Sequence, residues 1–172
     1  RVRKALEKKG VADNTVLVFT GDNGYYQGQR GFAGKWSHYE ESLRVPLIIH
    51  DPRTPAHLRG RNAPQMALNI DLPATLLDYA GLPLPEAYQG RSLRPIVEGA
   101  SPEHWRTDTF CEHLMDYGGI PKWEGVRGPR YTYARYFEQK HDAEHLHDLV
   151  ADPGQLKNFA SDPAYAKILA KM

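Results

Sequence analysis

The chain has 172 residues, enough for one domain with a good core or for one domain with a smaller appendage. Its 22 Lys plus Arg nearly cancel 21 Asp plus Glu, so no global field favours nucleic acid or an anionic membrane, and an anionic ligand must be held locally. No apolar stretch approaches the ~20 residues of a membrane span, and the single cysteine, Cys111, excludes an internal disulfide and a multi-cysteine zinc site.

Val2, Ala5, Leu6 and Lys9 fall at helical spacing, with Gly10 placed for a C-terminal turn. The helix starts at once, with no Ser, Thr, Asp or Asn ahead of its first turn, so the chain is expected to be cut from a longer one. Residues 15–20 (Thr-Val-Leu-Val-Phe-Thr) and 44–50 (Arg-Val-Pro-Leu-Ile-Ile-His) are uninterrupted apolar runs of the kind buried on both faces of a parallel sheet. Two strands cannot close such a sheet, so its remaining strands are expected N-terminal to Arg1. After a loop over residues 53–64, Asp71 reads as the N-cap of a helix whose Leu72, Leu76 and Tyr79 share a face, with Gly81 at its end. Residues 82–102, rich in Pro and Gly, read as a connector.

Beyond it the period changes. Residues 107–112, 123–128, 131–137 and 144–149 are short alternating runs separated by turn signals, which predicts a small antiparallel sheet with Gly128-Pro129-Arg130 as its tightest turn. Asp162 and Pro163 open a last helix, with Tyr165, Ile168 and Leu169 facing the sheet. The expected domains are 1–103 and 104–172.

The first apolar run delivers the chain into Gly21-Asp22-Asn23-Gly24, and open α/β sheets bind ligands just beyond the carboxyl ends of their strands. Asp22 and Asn23 offer hard oxygen ligands, better suited to Ca²⁺ or Mg²⁺ than to Zn²⁺; Asp-Asn-Gly is equally an ordinary turn sequence. Lys35, between Gly34 and Trp36, reads either as a point charge for an oxyanion or as a solvated lysine. Tyr39, Glu40, Glu41 and Arg44 read as support behind a site or as the polar face of a short helix. His145 and His147 share one face of a strand near His141, but the spacing designates no further zinc ligand, so they read as solvated. His113, beside Glu112, is the better candidate for contact with substrate, and Arg127 and Arg130 read as ion-pair partners.

Taken in order, Thr20-Gly21-Asp22-Asn23-Gly24, Gly34-Lys35-Trp36, Tyr39-Glu40-Glu41-Ser42-Leu43-Arg44-Val45-Pro46, the stretch 71–81, Gln89-Gly90-Arg91-Ser92-Leu93 and His147-Asp148-Leu149 with Asp152-Pro153 and Asn158 resemble the C-terminal half of a formylglycine-dependent sulfatase. The resemblance implies an α/β fold: the last portion of an alkaline-phosphatase-like α/β sandwich followed by a small antiparallel sheet packed by a C-terminal helix. It implies Asp22 and Asn23 as ligands of a Ca²⁺ ion, with Mg²⁺ as substitute, and Lys35 as the catalytic, sulfate-binding lysine. The substrate would be a sulfated small molecule or glycan, in a periplasmic or secreted setting. The C-x-[PA]-x-R motif, whose cysteine or serine the family oxidises to formylglycine, is not in this sequence; Cys111 precedes Glu112-His113-Leu114-Met115 and does not match it. The formylglycine is therefore expected in a preceding half of the catalytic domain, and these residues alone are expected to be inactive. Gly28-Gln29-Arg30-Gly31 departs from the family's frequent Gly-Glu-His-Gly, so a substrate contact at position 30 does not carry over. Two alternatives stay open: a phosphatase or phosphonate monoester hydrolase on the same scaffold, and a non-catalytic glycan-binding relative using Trp36, Tyr117 and Trp123.

Overall fold

The computed structural model describes residues 1–116, 119–138 and 143–172; Tyr117 and His141 lie outside them. In chain order the elements are helix α1 (Val2–Lys8), strands β1 (Leu17–Thr20), β2 (Tyr26–Gln27) and β3 (Ala33–Gly34), helix α2 (Glu40–Leu43), strand β4 (Leu47–His50), helices α3 (Asp71–Tyr79) and α4 (Arg94–Val97), strands β5 (Thr109–His113), β6 (Trp123–Arg127), β7 (Tyr131–Tyr136) and β8 (Ala143–Asp148), and helix α5 (Ala166–Leu169). They form two compact units: Arg1–Asp22 with Val45–Trp105, and Asn23–Arg44 with Arg106–Met172. The second unit takes up its C-terminal stretch close to the change of period at residue 104, and residues 23–44 join it.

In the first unit β1 and β4 pair with each other, antiparallel, with Phe19 opposite Ile48. These two side chains are 62% and 60% exposed. The parallel arrangement expected of these runs is therefore corrected to antiparallel for this pair, while their exposed apolar side chains agree with the expectation that the two strands alone do not close the sheet. Asp71 is corrected as well. It lies inside α3, whose N-cap is Ile70, and is 0% exposed. Its carboxylate accepts from the backbone N–H of Leu68 and of Arg91, each at 2.8 Å. The buried face of α3 is accordingly Asp71, Ala74 and Thr75, while Leu76 is exposed. Thr75 Oγ1 accepts from the backbone of Leu93 and Ser92 Oγ donates to Asp78, so the connector is strapped across the helix by polar contacts. Gly90 permits this: a Cβ there would lie 1.9 Å from the carbonyl oxygen of Ile70.

The second unit is built on a meander in the order β5-β6-β7-β8, all pairs antiparallel. The alternation read from the sequence places each strand within a few residues, and the 128–130 turn closes with Gly128 N–H on the carbonyl of Tyr131 at 2.8 Å. Trp123, Ala134 and Tyr136 form its apolar centre, with Leu43, Cys111 and Ala143 packed around them. At the end of the chain the Asp162 carboxylate caps a 3-10 turn by accepting from Ala164 N–H. Tyr165, in that turn, donates to Asp148 at 3.2 Å. No helix among the described residues is long and apolar enough to cross a membrane.

Asp51, at the end of β4, is almost fully buried and is gripped by Arg53 through Nε at 2.8 Å, NH2 at 2.9 Å and the backbone N–H at 2.9 Å. The arginine's hydrogen bonds hold its carboxyl below the usual carboxylate range, outweighing the opposing effect of burial. The folded state thus binds fewer protons here than the unfolded one. The stabilisation is complete above about pH 4 and disappears as pH falls through the folded-state value. Thermal melts of wild type and Asp51→Asn against pH should show a deficit of about 1.5–3 kcal/mol at pH 7 that narrows towards pH 2.

Candidate active site

The segment after β1 carries the residues with chemical potential. Gly24 lies against α2: its N–H donates to the carbonyl of Ser42 at 2.9 Å, and a Cβ on it would stand 2.1 Å from the carbonyl oxygen of Glu41. The glycine is therefore a contact point as well as a turn residue. Next to it, Asn23 Nδ2 donates to the carbonyl of Gly24 at 2.8 Å, which fixes the amide and leaves Oδ1 to accept from Lys35 Nζ at 2.5 Å. The pair expected to share an anion site is brought together. The ammonium lies 5.7 Å from the centre of the Trp36 ring, and that ring stacks on His113 at 5.8 Å with the planes 14° apart. His113 closes β5 and is nearly buried, and its Nε2 has no hydrogen-bond partner among the described residues. Asp22 ends the other compact unit; its carbonyl accepts from Asn69 Nδ2 at 2.6 Å, and the residue is exposed.

The segment is anchored by charge and hydrogen bonding. Trp123 Nε1 donates to the carbonyl of Trp36 at 2.8 Å, and Trp36 is held at φ 82°. Ser42 Oγ accepts from Trp36 N–H. Glu40 receives a two-pronged grip from Arg127 at 2.9 and 3.0 Å, and Arg130 makes the same kind of pair with Asp148 at 2.7 and 3.0 Å. Both arginines thus do the structural work read from their flanking of the turn. Arg30, at φ 58°, donates to the carbonyls of Gln155 and Gly154, pairs with Glu41 at 3.5 Å and lies 3.9 Å from the centre of the Tyr39 ring. Arg30 thus binds residues 28–31 to the C-terminal part of the unit.

The histidines depart from expectation. His147 is 2% exposed and His38 1%, and with His145 their rings gather in one cluster. They are not solvated. Burial pushes all three below the usual histidine value, His38 to about 2 with help from the neighbouring rings and Arg30. The alternation of β8 showed 145 and 147 sharing a face; His38, 107 residues before His145, left no signal in local spacing.

The donor set suits a hard cation. Asn23 and the covalently adjacent Asp22 both carry side-chain oxygen, which fits Ca²⁺ or Mg²⁺ rather than a thiophilic metal.

Residues 28–172 match the family described as N-sulphoglucosamine sulphohydrolase, C-terminal, and the chain belongs to that family, within the alkaline-phosphatase-like sulfatases. It is 33% identical to an N-acetylglucosamine-6-O-sulfatase of Bacteroides thetaiotaomicron, over 97% of this chain and 30% of that protein. It superposes with a TM-score of 0.86 and 30% identity on a structure in complex with its substrate D-glucosamine-2-N,6-O-disulfate, covering 99% of this chain and 35% of that one. A phosphonate monoester hydrolase of Agrobacterium radiobacter gives 0.85 and 30%, over 99% and 36%. The chain thus spans about a third of the length of these relatives.

Replacing Gly24 by Ala forces the turn off α2. In the full-length protein this variant should lose about 1–3 kcal/mol of stability in chemical denaturation, and a crystal structure should show Asn23 withdrawn from Lys35.

Proposed function

We propose that the protein to which these residues belong hydrolyses sulfate esters of a sugar, with this chain supplying part of the anion clamp. The observation that carries the reading is the 2.5 Å contact between Lys35 Nζ and Asn23 Oδ1, which sets an ammonium beside a hard oxygen ligand. Lys35 holds a sulfate oxygen in the ground state and stabilises charge on the departing oxygen as the ester bond breaks. Asp22 and Asn23 would hold Ca²⁺, which when bound offsets negative charge on the sulfate group. Asn23 has a second task in orienting the ammonium. His113, stacked on Trp36 and with an Nε2 that has no hydrogen-bond partner among the described residues, would meet a sugar hydroxyl once the ring is uncovered. The relative whose structure is in complex with a disulfated glucosamine supports a sugar substrate. The nucleophile is not among these residues, since they contain no C-x-[PA]-x-R motif; turnover requires a formylglycine supplied elsewhere in the protein.

A second reading, hydrolysis of phosphate or phosphonate esters, is favoured by the fold shared with the Agrobacterium enzyme. Asn23 argues against it, because an amide oxygen keeps the metal site hard, whereas an imidazole there would draw softer ions such as Mn²⁺ or Zn²⁺. Turnover of matched sulfate and phosphate monoesters by the full-length protein separates the two, and a preference for phosphate overturns the sulfatase assignment. In the same assay Lys35→Ala should lower sulfate-ester kcat/KM by about 10²-fold or more with circular dichroism unchanged. Near-wild-type turnover would remove Lys35 from the mechanism.

A further inference from the structure

The buried histidine cluster is used by none of this chemistry. His38, His145 and His147 each offer one ring nitrogen, and these atoms all lie within 4.8 Å of one another. His38 Nε2 and His147 Nε2 are 3.1 Å apart. The surroundings settle one tautomer. His147 Nδ1 lies 2.8 Å from the carbonyl of Lys157, which only accepts, so Nδ1 carries the proton and Nε2 turns a lone pair towards His38. His38 Nδ1 is 2.8 Å from the Tyr136 hydroxyl, which can donate or accept. His145 Nδ1 is buried and has no hydrogen-bond partner among the described residues.

Two arrangements answer the facing nitrogens at 3.1 Å. If Tyr136 donates to His38, His38 Nε2–H can donate to His147, but His145 Nδ1 then stays unsatisfied, a cost of about 1–3 kcal/mol for a buried polar atom. If His38 donates to the Tyr136 oxygen instead, Nε2 is freed and a cation between the rings can take lone pairs from all three. Nitrogen ligands at 2.0–2.1 Å in tetrahedral array stand about 3.4 Å apart. The His38–His147 separation is already close to this, and the widest possible gap, 4.8 Å, closes with an inward shift of about 1.4 Å. Lys157 and Tyr136 then act as the outer hydrogen-bond partners that orient metal-bound imidazoles. Burial keeps the rings neutral, the form that binds metal.

We infer that His38, His145 and His147 form a transition-metal site, best suited to Zn²⁺, with a fourth position open to water. All three ligands belong to the second compact unit, where the ion ties residues 23–44 to β8.

The test uses full-length protein stripped with chelator and titrated with Zn²⁺ alone, then with Co²⁺ as a spectroscopic reporter. Expected are one Zn²⁺ bound by three imidazoles in X-ray absorption and visible Co²⁺ bands of a four-coordinate site. Affinity should weaken about 100-fold or more in His145→Ala and stay unchanged in Lys35→Ala. His145 is the ligand to remove because it is only half-buried; if that variant misfolds, the imidazole count in wild type decides. Fewer than three imidazoles on the metal, no binding by wild type, or equal binding by a folded His145→Ala overturns the site. None of these outcomes depends on sulfatase turnover.

Discussion

The second compact unit depends on hydrogen-bonded and ion-paired polar groups withdrawn from water together. Residues 23–44 bring Tyr26 and Leu43 into contact with apolar surroundings, and their attachment to the rest of the unit includes Arg127 on Glu40, Trp123 on the Trp36 carbonyl, the His38–Tyr136 hydrogen bond, and Arg30 on the carbonyls of Gly154 and Gln155. Such contacts give modest net stability when made and large penalties when half-made. They therefore specify one placement of the segment more sharply than an apolar interface of the same size could. That placement sets Asn23 and Lys35 at hydrogen-bond distance.

The same logic runs through the first unit. Asp71 and Asp51 are buried carboxylates whose partners are backbone amides and a neighbouring guanidinium, and the connector after α3 is ordered by Thr75 and Asp78. In both units short elements are fixed by side chains that read as surface residues in the sequence.

This explains what was legible. The four strands of the meander, the turn at 128–130 and the Asp162 cap follow from period and turn chemistry, which act over a few residues. That Asn23 and Lys35 lie close together was readable from their order after β1 and from the family resemblance, but the direct hydrogen bond between them was not. The antiparallel partner of β1, the folding back of Asp71 and the burial of His147 were not. Each involves a group far away in the chain: β4 for β1, Arg91 alongside the nearby Leu68 for Asp71, His38 for His147. Local pattern holds no record of such partners.

The carboxamide at position 23 has an electrostatic consequence. A carboxylate there would orient the lysine just as well, but it would cancel its charge, and the singly charged sulfate ester of the proposed reaction would meet a neutral pair. An amide steers the ammonium by dipole and hydrogen bond alone. In the proposed reaction the full unit of positive charge would stay available to the guest, so that pre-positioning is gained without surrendering attraction.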